Sequence, residues 1–151
     1  MFPDFKELLS SFNTHDVKYL IVGGYAVSFH AQPRATKDLD VFIKADPANA
    51  QAAYSALAGF GAPLATITVD DLANPGNFIR FGREPVAIDI LASIDGVDFD
   101  KAWESRIEGI IDQETGLRAF FISKAYLIAS KLAAGRMRDL ADVEAIRESE
   151  K

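Results

Sequence analysis

The residues of this chain best suited to chemistry are carboxylates embedded in apolar runs. In the stretch RATKDLDVFI, residues 34–43, Asp38 and Asp40 stand two apart within what otherwise reads as a buried β-strand. Side chains alternate across a strand, so both acids face the same way. A third acid, Asp89, interrupts the apolar run PVAIDIL. Two carboxylates sharing one face repel each other and resist desolvation, and a third converging on them would push some pKa values sharply upward. A hard divalent cation removes that conflict, because Mg²⁺ takes oxygen ligands and favours carboxylates together with substrate phosphates.

An Asp-x-Asp pair alone is common on the solvent face of an edge strand, so further signals must separate structure from chemistry. One is the setting of Asp89, since a strand that apolar rarely exposes its middle. The other is KYLIVGG, residues 18–24, a short strand ending in Gly23 and Gly24. A glycine pair that ends a strand and opens a helix presents backbone N–H groups and a helix dipole that attract phosphate.

The elements that must position these groups follow from periodicity. Residues 4–14 space Phe5, Leu8, Leu9 and Phe12 as one helical face after Pro3. Residues 25–31 suit a second helix, and residues after Asp46–Pro47 a third, running to Gly59. Residues 65–69 suggest a strand, DDLANPGN a turn or one helical turn, and NFIRF and PVAIDIL two strands. FDKAWESR reads as a helix, and EGIIDQETGLRAFFI as a hairpin around Gly116. Ser123 suits an N-cap for a helix through Lys131, Gly135 interrupts or ends it, and residues 138–148 form a last helix. The order is roughly α-β-α-β-α-β-β-β and then helices. It predicts an α/β or α+β sheet protein with a helical segment from about 123 to 151.

Composition bounds the alternatives. The 151 residues suit a single domain with a real core, and the balance of 49% hydrophobic and 25% charged residues is that of a globular protein. No apolar run approaches the ~20 residues needed to cross a bilayer, and the acidic, amphipathic start is unlike a signal peptide. Cysteine is absent, which excludes disulfides, thiolate zinc sites and thiol nucleophiles. A cytoplasmic setting is expected. The formal charge of −6 argues against general nucleic-acid binding, which needs an excess of Lys and Arg.

GGYAVSFHAQPRATKDLDVFI resembles the nucleotidyltransferase signature of the DNA polymerase β superfamily: Gly-Gly or Gly-Ser, a helix, an acid-hydrophobic-acid strand and a third acid on a later strand. Its Arg-x-Thr-x-Asp-hydrophobic-Asp run is similar to the AbiEii-type group of small nucleotidyltransferase-like proteins. KLAAGRMRDLADV resembles that group's late motif. The resemblance spans about Leu20 to Ile146 and implies a mixed, twisted sheet flanked by helices. It implies that Gly23 and Gly24 hold a nucleoside triphosphate, and that Asp38, Asp40 and Asp89 coordinate Mg²⁺, two ions in all, with Mn²⁺ as a substitute. Asp89 would also help deprotonate an acceptor hydroxyl on a protein, an RNA such as tRNA, or a small molecule. The implied reaction moves a nucleoside monophosphate and releases pyrophosphate. The resemblance also implies an alternative, a component of a toxin–antitoxin or phage-defence pair acting mainly through a partner protein.

Supporting residues are weighed against plainer roles. Arg34 and Lys37 border the acids and suit phosphate, or are surface charges flanking a strand. Thr36 bonds phosphate or simply begins the strand. His30 fits a helix-end polar residue better than a catalyst. Lys124, Lys131 and Arg138 would share a stripe only on an unbroken helix, which Gly135 opposes. Lys131 is the best candidate to touch nucleotide, with Asp139 and Asp142 as partners for it or for Arg138.

Overall fold

The computed structural model describes residues 1–33, 35–83 and 86–150. Helix α1 (Pro3–Thr14) leads into strand β1 (Tyr19–Val22), helix α2 (Gly23–His30) and strand β2 (Leu39–Ile43). Helices α3 (Pro47–Phe60) and α4 (Val69–Ala73) precede the β3 (Phe78–Arg83) and β4 (Val86–Leu91) pair. Helix α5 (Phe99–Glu104), the β5 (Ile107–Asp112) and β6 (Leu117–Phe121) hairpin, and helices α6 (Lys124–Ala134) and α7 (Met137–Glu148) complete the order.

The strands form one six-stranded mixed sheet in the order β3-β4-β2-β1-β6-β5. β2 lies between β4, to which it runs parallel, and β1, to which it runs antiparallel. That central place explains why its sequence is apolar on both faces. Leu39, Val41 and Ile43 join Tyr19, Ile21, Ile88 and Ile90 in one core layer with Phe5, Leu8, Leu9 and Phe12 of α1 and Ala50, Ala53 and Leu57 of α3. Phe42, one step out of phase, joins Leu20, Val22, Val27, Leu127 and Ile146 in the opposite layer. Asp40 shares the alternation phase of Phe42, so it belongs to the face covered by α2, α6 and α7.

Local signals act as their chemistry dictates. Pro3 opens α1, and the Asp46 side chain accepts from the Asn49 N–H to cap α3. Ser123 caps α6, and Gly135 ends that helix in the left-handed conformation at φ +69°. Lys124 and Lys131 therefore lie on a different helix from Arg138. The sequence reading of residues 65–69 as a strand is corrected. Thr68 is the N-cap of α4: its Oγ1 accepts from the Asp71 N–H at 3.2 Å, while its own N–H donates to Asp71 Oδ2 at 2.9 Å. A β-branched residue followed three positions later by an acid made a capping box, and the cap outweighed strand propensity. Helix α2 starts at Gly23 rather than Tyr25, so both glycines form its first turn.

Candidate active site

The strand acids meet through the sheet's register. Asp40 of β2 and Asp89 of β4 are Cα partners on adjacent parallel strands. Parallel neighbours in register present their side chains on the same face, so the two carboxylates stand side by side. Asp38, two residues before Asp40, completes the set at the lip of the strand. Asp89 is buried at 6% exposure. Burial first, then the hydrogen bond and charge of Asp89 and the charge of Asp38, push the Asp40 carboxyl up to about 7, against a smaller opposing pull from Lys131.

Arg80 is the cation that meets this cluster, and the sequence reading missed it. It lies on β3 in register with Asp89. Its Nε donates to Asp89 Oδ1 at 2.7 Å and its Nη2 to Asp89 Oδ2 at 3.0 Å, a bidentate fork. The same Nη2 donates to Asp38 Oδ2 at 3.3 Å. Asp38 Oδ1 is left buried with no hydrogen-bond partner. Among the described residues no group of three or more acidic, histidine or cysteine side chains is arranged as a ready metal cage.

Above the acids opens a cleft of about 600 Å³. Its floor carries Asp38, Asp40, Asp89 and Arg80, and one rim carries Gly23 and Gly24. Gly23 adopts φ +66°, and a Cβ there would fall on Asp40 Oδ2, with Asp40 Cγ at 2.9 Å and Cβ at 3.1 Å. Only glycine lets the first turn of α2 pass this close to the acid. A Cβ on Gly24 would instead meet Thr36 Cγ2 at 2.7 Å. Thr36 thus braces the glycine turn from behind and is not among the cleft-lining residues. Its carbonyl accepts from the Tyr25 hydroxyl at 3.3 Å.

The facing wall is built by α6 and α7. Lys131 lies in the cleft, with Nζ 2.9 Å from Asp142 Oδ2 and 3.4 Å from Asp139 Oδ1. Arg136 also grips Asp139, Nε to Oδ2 at 2.6 Å, and with Lys131 holds that carboxyl below the usual range. The pairing of Asp139 and Asp142 with Lys131 agrees with one of the two partners expected from sequence. Arg136, like Arg80, went unseen there. Arg138 lines the cleft as well. His30 ends α2 with Nε2 2.6 Å from the Ile122 carbonyl oxygen, a structural tie between α2 and the end of β6. Arg34 lies outside the described residues.

The site thus combines three strand acids, a glycine-lined helix start and an opposing basic residue around one cleft. No curated protein sequence matches the chain. Its fold is similar to that of the crystal structure of the lincosamide antibiotic adenylyltransferase LnuA in its lincomycin-bound form, with a TM-score of 0.56 at 15% identity over 99% of this chain and 98% of that one. The family model described as "Nucleotidyltransferase of unknown function (DUF6036)" matches residues 2–148. The chain belongs to that nucleotidyltransferase family.

Proposed function

We propose that the protein transfers a nucleoside monophosphate from a nucleoside triphosphate to a hydroxyl acceptor, with release of pyrophosphate, in a Mg²⁺-dependent reaction that Mn²⁺ also supports. The single observation that carries this reading is the register of Asp40 against Asp89 beneath a cleft edged by the Gly23–Gly24 helix start. The donor set fits a hard cation: every candidate ligand is a carboxylate oxygen, and Asp38 Oδ1 is buried without a partner. Asp38, Asp40 and Asp89 would hold the metal, two ions in the full site. When bound, the metal supplies charge neutralisation at the transferring phosphate and activation of the attacking oxygen.

The chain's own residues do the rest. The N–H groups of Gly23 and Gly24, at the positive end of α2, bind triphosphate oxygens. Asp89 accepts the proton of the acceptor hydroxyl. Lys131 reaches the nucleotide from the opposite wall while Asp139 and Asp142 fix its position, and Arg34 supplies a further phosphate contact. Thr36 serves nucleotide binding by holding the turn at Gly24. Transfer is then in-line displacement governed by positioning and electrostatics. The chain acts as one minimal domain, in the cytoplasm; among the described residues, no helix is long and apolar enough to cross a membrane. Incubating the protein with nucleoside triphosphates labelled at the α-phosphate, alongside lysate protein, RNA and small-molecule fractions, tests the reading and sorts the acceptor classes. Label should move to one fraction with wild type and to none with Asp40→Asn.

A second reading, partner binding in a toxin–antitoxin or phage-defence pair, has one observation in its favour. The α6–α7 corner exposes Leu132 at 46%, Met137 at 89% and Leu140 at 48%. That reading expects Asp40→Asn to keep the protein's biological effect, whereas the transfer reading expects its loss.

A further inference from the structure

The acidic cluster already contains a cation, and the chain supplies it. Arg80 stands on β3 at the edge of the sheet, directly across from Asp89. Its guanidinium engages both oxygens of Asp89 and reaches Asp38 Oδ2. The two partners differ sharply in exposure: the Asp89 side chain is 8% exposed and that of Arg80 is 45% exposed. Asp89 is buried on an inner strand, while Arg80 stands on the edge strand and is partly open to solvent.

We propose that Arg80 is the resident counter-ion of the cluster, a positioning residue that holds Asp89 and Asp38 in place without metal and releases Asp89 when a divalent cation binds. This rests on the nucleotidyl-transfer reading above. A buried ionised carboxylate needs a compensating charge, and removing the guanidinium bonded to it leaves an uncompensated charge. A guanidinium in bidentate contact also stands as a like charge beside the place a metal would take, so the two compete. Arginine suits the task better than lysine. Its planar fork matches the carboxylate, and its long stem lets the head move while the backbone stays in the β3–β4 ladder. The buried, unpartnered Asp38 Oδ1 marks what the arginine cannot supply: it satisfies one oxygen of Asp38 and leaves the other.

The test is direct titration of Mn²⁺ alone into wild type, Arg80→Gln and Arg80→Lys, read by calorimetry, with thermal melting of each protein in chelator. In chelator, Arg80→Gln should melt several degrees below wild type. Its affinity for Mn²⁺ should nevertheless rise about tenfold, the ratio expected when a competing charge next to a ligand is removed. Arg80→Lys keeps the charge but loses the fork, and should bind Mn²⁺ with intermediate affinity; it carries the test if Arg80→Gln fails to fold. Equal or weaker Mn²⁺ binding by the variants would overturn the exchange and make Arg80 a fixed brace, leaving the transfer reading intact. No Mn²⁺ binding by any of the three proteins would overturn both.

Discussion

Gly23 and Asp40 are packed so closely that a Cβ on the glycine would fall on Asp40 Oδ2. Rotating the acid away offers little relief, because Asp40 Cβ itself would lie 3.1 Å from the added atom. The glycine also holds φ +66°, where an L side chain is strained. Gly23→Ala is therefore expected to destabilise the protein by at least about 2 kcal/mol in urea unfolding. A loss within about 0.5 kcal/mol, the range of indifferent surface changes, would contradict the packing.

Gly24 fails differently on substitution, since its obstacle is one methyl group of Thr36, at 2.7 Å. Gly24→Ala should cost about 1–2 kcal/mol, the scale of a modest overpacking. Thr36→Ser removes that methyl and leaves the hydroxyl at 3.4 Å from the new Cβ. The double variant should recover much of the loss, and a double-mutant cycle in urea measures the coupling. Strict additivity would mean that the two residues do not meet.

Asp40 makes stability depend on pH. Its folded carboxyl is raised to about 7, mainly by burial and then by Asp89 and Asp38, so the folded state binds a proton that the unfolded state releases near 3.8. The stabilisation this proton gives is complete below the unfolded value and lost as pH climbs to about 7. In metal-free protein, Asp40→Asn should be nearly neutral at pH 4 and stabilising by about 2–4 kcal/mol at pH 8. Urea melts across that range check the sign; a stabilisation that shrinks toward alkaline pH would be the wrong sign.

Much of this site was legible in residue types. Asp38, Asp40 and Asp89 stood out because ionised groups in apolar strands demand a reason, and Gly23–Gly24 because a glycine pair between strand and helix suits a tight turn or a phosphate cradle. That Asp89 would join Asp38 and Asp40 was expected, but its register against Asp40 was not legible, because β2 and β4 meet through a long parallel crossover whose register no local pattern encodes. Arg80 was hidden for the same reason: within NFIRF it reads as an outward-facing strand residue, and only the β3–β4 register puts it against Asp89. The positive φ of Gly23 depends on the final packing of α2 against β2. Residues 65–69 misled because Thr68 is β-branched, while its partner Asp71 lies where a cap needs it.

Lys131 should be a stability residue, whatever its proposed part in nucleotide binding. Its side chain is 14% exposed and spans Asp139 and Asp142, which are 1% and 11% exposed. Lys131→Met should cost about 2–3 kcal/mol, less than a fully buried pair because part of the charge is wet. Adding Asp142→Asn should restore part of that loss. Guanidinium unfolding of the two variants checks this, and a negligible cost for Lys131→Met would detach it from the acidic pair.

In the proposed reaction the strand acids and the glycine turn together bind metal-loaded nucleotide for transfer. Equilibrium binding of a non-hydrolysable nucleoside triphosphate analogue, with Mg²⁺ and with chelator, to wild type, Asp40→Asn and Asp89→Asn measures this joint binding. Wild type should bind in a Mg²⁺-dependent manner, and binding should fall at least about tenfold in each variant while all three proteins still melt cooperatively. Folded variants that bind the Mg²⁺-nucleotide as tightly as wild type would contradict it.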